Sequence, residues 1–274
     1  MSERPNALRN ALLSGRRRPR NPGGGSPASY RGDGYEFAEL RQYVAGDDPR
    51  RLDWAATARV GALQTRVVLE DVSLTLAAVL DHSNSMYVGR RRPLFDAARE
   101  ALLAWYYAAE SNDRCIRITG DRIISGTLRG IRSANLCANI APAGKSSVLE
   151  SLALAQAALQ RGSALLIISD FFETNAAHRV LLAKAASRFD CTALIAQDPW
   201  RDKLPLRGFV RLKDAESGES RRIFLGTRER HRYHEAVHER ERLLGGLFTQ
   251  SGWRMGFLAE DDGAAALMRA FGLR

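Results

Sequence analysis

The sequence predicts an α/β fold built on a mainly parallel sheet with helices on both faces. Three observations carry this prediction. Apolar runs of strand length at 72–80, 164–169 and 191–196 lack the alternation of half-wetted strands, as expected where both faces are buried. Between such runs, apolar residues recur at three- and four-residue spacing, as in Leu94, Ala97, Ala98, Ala101, Leu102, Trp105 and Tyr106. Strand-like and helix-like segments alternate along the chain, the pattern of parallel crossover units. The 274 residues suffice for one large core, or one domain plus a subdomain.

Residues 1–29 include RNPGGGSPAS, rich in Gly, Pro and Ser and low in apolar content, and read as a disordered basic tail. The net charge is +10, and residues 1–31 hold seven Arg against one Glu, so the body is only mildly basic. The run Arg16, Arg17, Arg18 and Arg20 could touch phosphates or acidic lipid heads, or simply solubilise the chain.

Residues 30–71 form a distinct block expected to be a β-rich structural collar. Gly46-Asp47-Asp48-Pro49 is a turn. Arg50, Arg51 and Asp53 are placed to pair with nearby charges, with Trp54 packing beneath them. Asp47, Asp48 and Asp53 could instead bind a second cation or a partner Arg. Residues 63–71, LQTRVVLED, read as a strand pairing at the sheet edge.

From Pro93 the pattern turns helical. CIRIT and RIISGTL around Gly120-Asp121 read as a hairpin. A short helix at 130–140, an Ala/Leu helix at 148–160, a helix near 176–188 and a long charged helix at 227–248 follow. Residues 198–225 hold two β segments joined at 216–219. A strand at 255–258 and a helix at 262–271 end the domain.

The stretch 72–86 organises the rest. Its apolar run ends at Asp81, Ser83 and Ser85, one carboxylate and two hydroxyls at alternate positions. Ligands of open α/β sheets bind just beyond the carboxyl ends of strands. Such oxygen donors suit a hard cation such as Mg²⁺. The same residue types also make turns and helix caps. Further on, Ser146 and Ser147 precede a helix, and Asp170 ends the strand at 164–169.

Asp-x-Ser-x-Ser, a loop hydroxyl and then Asp, in that order, resembles the metal-ion-dependent adhesion site of von Willebrand factor A domains. The resemblance implies direct ligation of Mg²⁺ or Mn²⁺ by Ser83, Ser85 and the loop hydroxyl, with Asp81 and Asp170 acting through water. Ser147 matches that hydroxyl better than Ser146 by its distance to Leu149. Residues 30–71 are similar to the bacterial family known as domain of unknown function 58. They carry Gly32, Gly34, Glu36, Phe37, Leu40, Arg41, Tyr43, Gly46, Asp47, Asp48, Arg50, Asp53 and Trp54 of its pattern. This likeness extends over about residues 30–273. It implies a Rossmann-like von Willebrand factor A-type domain at 72–274 preceded by the collar. It further implies a metal-dependent protein-binding module without enzymatic activity, an adaptor or chaperone-like factor. The partner class implied is a MoxR-type AAA+ ATPase, or its client.

Two other motifs compete. His234-Glu235-Ala236-Val237-His238 matches H-E-x-x-H, which on a helix could hold zinc with Glu235 as base. Its neighbours Arg230, Arg232, Glu239, Arg240 and Glu241 mark a solvated helix and argue against a zinc hydrolase. Gly144-Lys145-Ser146 resembles a P-loop end, but Asn139 stands where its first glycine belongs. Cys115, Cys137 and Cys191 have no zinc-knuckle or disulfide spacing and fit a reducing compartment. No run reaches the ~18 apolar residues of a membrane helix. The chain is therefore expected to be cytoplasmic, with Arg-driven nucleic-acid binding as the alternative function.

Overall fold

The computed structural model describes residues 3–16, 36–44, 47, 49–69, 73–120, 122–126 and 147–273. The chain forms two compact units, residues 1–18 with 74–274, and residues 19–73. The first helix, α1 (Glu3–Arg16), belongs to the larger unit. The smaller unit holds strand β1 (Glu36–Gln42), a 3-10 turn (Pro49–Arg51), helix α2 (Trp54–Val60) and strand β2 (Gln64–Leu69). The larger unit resumes with β3 (Thr75–Leu80), a 3-10 turn (Asn84–Tyr87), α3 (Leu94–Tyr107), β4 (Arg114–Thr119) and β5 (Arg122–Gly126). After the undescribed stretch come α4 (Val148–Ala158), β6 (Ala164–Ser169), α5 (Arg179–Ala186) and β7 (Asp190–Ala196). The hairpin β8 (Gly208–Lys213) and β9 (Ser220–Leu225), then α6 (Thr227–Gln250), β10 (Arg254–Leu258) and α7 (Gly263–Ala270) complete it.

Six strands form one sheet in the order β10-β7-β6-β3-β4-β5, all parallel except β5. Successive side chains of a strand point to opposite faces, and in the central strands both faces are dry. Leu76, Ala78 and Leu80 of β3, with Leu166 and Ile168 of β6, join the core beneath α3 and α7. Ala77, Val79, Leu165 and Ile167 join the opposite core beneath α4, α5 and α6. This explains the continuous apolar runs. The β4–β5 hairpin pairs Thr119 with Arg122, and Gly120 supplies the positive φ of 55° that its tight turn needs.

Helix α1 corrects the expectation of a disordered tail over 1–29. Leu8 and Leu12 share one helical face and are each 1% exposed, in the core with α3. Partly buried Ala7 and Leu13 pack against the same core, and this contact holds a helix that would be marginal alone. Residues 17–29 lie outside the described residues.

The smaller unit brings three further corrections. Strand β2 does not extend the main sheet; it pairs antiparallel with β1 in a separate two-stranded sheet. Trp54 does not pack beneath the charges, being 68% exposed at the start of α2. Asp47 and Asp53 do not form a joint cation site. Asp47 binds the Arg41 guanidinium through both oxygens, at 2.8 and 2.7 Å. Asp53 caps α2 through Ala56 N and pairs with Arg66 Nε at 2.8 Å. These bonds hold the Asp53 carboxyl below its usual range, the cap first and then Arg66. Asp48, the 130–140 segment and the residues from Gly144 to Ser146 lie outside the described residues.

Candidate functional site

The chain leaves β3 for β4 on one side and returns on the other side at β6, so strand order reverses between β3 and β6. A crevice forms beyond the carboxyl ends of strands at such a reversal. Pairing continues one residue past β3, where Asp81 N donates to Ile168 O at 3.0 Å. That bond sets Asp81 beside Ser169 and Asp170.

Asp81 is 3% exposed. Its Oδ1 accepts from Ser83 N at 2.9 Å and its Oδ2 from Ser169 Oγ at 2.5 Å. Burial nevertheless pushes its carboxyl above the usual range, and the charge of Asp170 adds to the effect. The Ser83 and Ser85 hydroxyl oxygens stand 3.0 Å apart. The 3-10 turn after Ser83 fixes them, with Met86 N bonded to Ser83 O, Val88 N to Ser85 O, and Met86 fully buried. His82 is also buried, burial pushes its imidazole down, and among the described residues Nδ1 has no hydrogen-bond partner.

Beyond β6 the backbone is strained. Phe171 has φ of 52°, which costs a non-glycine residue about 1 kcal/mol or more. Its side chain offsets this cost by burial, edge-on to Phe248 at 4.7 Å. Its amide donates to Ser169 Oγ at 2.8 Å, and its carbonyl accepts from Arg240 at 2.7 Å. Asp170, preceding it, accepts from Phe172 N at 2.9 Å. Ser147 caps α4 and donates to Glu173 Oε2 at 3.0 Å. That bond ties Ser147 to the loop following Asp170 rather than to Asp81, Ser83 or Ser85. Ser146 is not among the described residues.

Three residues here escaped the sequence reading: Ser169, Glu173 and Glu216. Ser169 is visible only as the residue before Asp170. Glu216, at the tip of the β8–β9 hairpin, accepts from Ser85 N at 2.9 Å across 131 residues.

The donor set is one buried carboxylate with hydroxyls, which is the chemistry of a hard cation. Two adjacent oxygens on an octahedral Mg²⁺ with bonds of 2.0–2.1 Å stand about 2.9 Å apart, close to the spacing of Ser83 and Ser85. Among the described residues no group of three or more His, Cys, Asp or Glu could hold a metal. In the H-E-x-x-H segment, His234 Nδ1 lies 2.7 Å from Arg201 O and Glu235 faces His231. No helix among the described residues is long and apolar enough to cross a membrane.

Fold and site thus define an α/β domain with a polar cluster at the order reversal of a mostly parallel sheet. Residues 39–242 match the family described as protein of unknown function DUF58, and the chain belongs to that family. A relative from Mycobacterium tuberculosis, uncharacterized protein Rv1480, is 34% identical over 200 residues, 68% of this chain and 62% of the relative. The chain therefore spans less than two thirds of that relative's length. Among solved structures, the conserved hypothetical protein BatB from Bacteroides thetaiotaomicron aligns with a TM-score of 0.45 and 16% identity, over 73% of this chain and 96% of that one. An aerotolerance-related membrane protein from Bacteroides fragilis aligns with a TM-score of 0.47 and 14% identity, over 72% and 96%.

Proposed function

We propose that the larger unit is a von Willebrand factor A-type module that binds protein partners through Mg²⁺ or Mn²⁺ and is not an enzyme. The observation that supports this most is the meeting of Asp81 with the Ser83–Ser85 hydroxyl pair at the strand-order reversal. In this reading Ser83, Ser85 and Ser147 ligate directly, while Asp81 and Asp170 act through water. When bound, the cation supplies an open Lewis-acid position that accepts a partner's carboxylate.

The chain's own groups prepare that position. Ser169 holds the second oxygen of Asp81 and fixes the carboxylate's orientation. A buried carboxylate beside another negative charge is costly, and a cation held by this cluster would offset that cost. To hold the cation, Ser147 would give up its bond to Glu173. A MoxR-type AAA+ ATPase, or a client of one, is the partner class proposed, with the chain as adaptor or chaperone-like factor.

Calorimetry of Mn²⁺ and Mg²⁺ with the wild type and Asp81→Asn tests the site. Binding by the wild type and its loss in the variant are expected; equal heats for both overturn the reading. Pull-down with and without EDTA, read by mass spectrometry, tests the partner, and recovery of the ATPase only without chelator is expected.

A further inference from the structure

We propose, on the reading just given, that Glu216 of the β8–β9 hairpin is the site's own acidic ligand, held where a partner's carboxylate would otherwise bind. The hydrogen bond from Ser85 N to Glu216 Oε1, at 2.9 Å, brings this carboxylate to the residue that carries one of the paired hydroxyls.

The tip of the hairpin is built to present it. Asp214 Oδ1 accepts from Glu216 N at 3.1 Å and from Ser217 N at 2.6 Å. Those two bonds hold the Asp214 carboxyl below its usual range, Ser217 foremost. Asp214 N donates to Glu219 O at 2.8 Å, and Gly218 turns the chain at a φ of 70°. Glu216 is thus projected from an ordered turn. Among the described residues it has no ion pair, whereas its neighbour Glu219 faces Arg221.

The hairpin that carries Glu216 is weakly anchored. Of residues 208–225 only Leu225 is buried, and Phe209 and Phe224 stack edge to face while 87% and 56% exposed. A two-stranded ribbon with so little buried surface opens at low cost. An exposed carboxylate bonded to one backbone N–H contributes little stability of its own. Glu216 therefore gives way to a stronger acidic ligand, and a partner must compete with it for the same position.

The test uses the full chain, Mn²⁺ as probe, and the variants Glu216→Gln and Asp81→Asn. Calorimetry gives affinity, and water-proton relaxivity of bound Mn²⁺ reports how many waters remain on the ion. Melting in EDTA should be the same for wild type and Glu216→Gln, since the residue is exposed. Loss of one carboxylate ligand should weaken Mn²⁺ binding about tenfold, or about 1.4 kcal/mol. It should also raise the relaxivity as a water takes the vacated place. Glu216→Gln with unchanged affinity and relaxivity, while Asp81→Asn abolishes binding, overturns this proposal and leaves the metal site standing. Absence of Mn²⁺ binding in the wild type overturns both.

Discussion

Arg9 of the first helix forms an ion pair with Asp113, a carboxylate whose side chain is only 1% exposed, across 104 residues of sequence. Asp113 also accepts from Leu74 N at 2.5 Å and Glu110 N at 2.7 Å. It therefore fastens α1 to the start of β3 and to the α3–β4 turn. A buried charge that loses its partner costs about 3–5 kcal/mol. The two remaining N–H donors place Arg9→Ala near the lower end. Leu8→Ala and Leu12→Ala should each cost about 2–5 kcal/mol by opening a core cavity. Urea unfolding of these variants, and of a chain lacking residues 3–16, checks this. A melting temperature unchanged by the deletion would show that α1 does not dock.

Ser169 joins two functions in one hydroxyl, donating to Asp81 and accepting from Phe171 N. Ser169→Ala leaves a buried amide and a buried carboxylate oxygen unpaired, and should cost about 1–3 kcal/mol. In an Asp81→Ala background the same change should cost less, because one of those groups is gone. A double-mutant cycle by urea denaturation measures the coupling; additive effects would separate the two bonds.

Tyr233 donates to Asp198 Oδ1 at 2.5 Å. Burial, then that bond, lifts its phenol far above the ordinary value of 10.0. The folded chain thus keeps a proton that the unfolded chain releases above pH ~10. Its contribution is fully present below that pH and declines as pH rises beyond it. Tyr233→Phe should lose less stability than the wild type between pH 9.5 and 11, as urea midpoints across that range would show. Parallel losses in the two proteins would refute the assignment.

Two glycines should respond to alanine in opposite directions. A Cβ on Gly263, the first residue of α7, would fall 2.2 Å from Ala97 O and 2.7 Å from Glu100 Cβ on α3. Backbone cannot give way as a side chain can, so Gly263→Ala should destabilise by at least about 1–3 kcal/mol. Gly246, inside α6, has nothing within 4 Å of its Cβ position. Gly246→Ala should stabilise by about 0.5–1 kcal/mol through helix propensity. Thermal unfolding distinguishes the signs.

The larger unit's strands were legible because both faces of the sheet are buried, so β3, β6 and β7 read as unbroken apolar runs. Asp81, Ser83 and Ser85 were legible because they follow such a run directly. Helix α1 was not, since its short apolar face of Ala7, Leu8, Leu12 and Leu13 is interleaved with Arg and Asn, and its docking depends on an acid 104 residues away. Strand character at 64–69 was visible, but the partner was not, because local pattern does not say which strand lies alongside. Ser169 and Glu216 matter through contacts 88 and 131 residues away, which no local spacing encodes.

The larger unit is interrupted in sequence: α1 precedes residues 19–73, and the rest of the unit follows them. During synthesis at about 5–20 residues per second, α1 waits about 5–20 s for Asp113 to be made. A 14-residue helix alone is marginal in water, so over that interval its leucines have no core to enter. Helix α1, made before the rest of its unit, is thus among the last parts of that unit to fold. Hydrogen-exchange labelling of stalled nascent chains should find its amides unprotected until β4 has emerged.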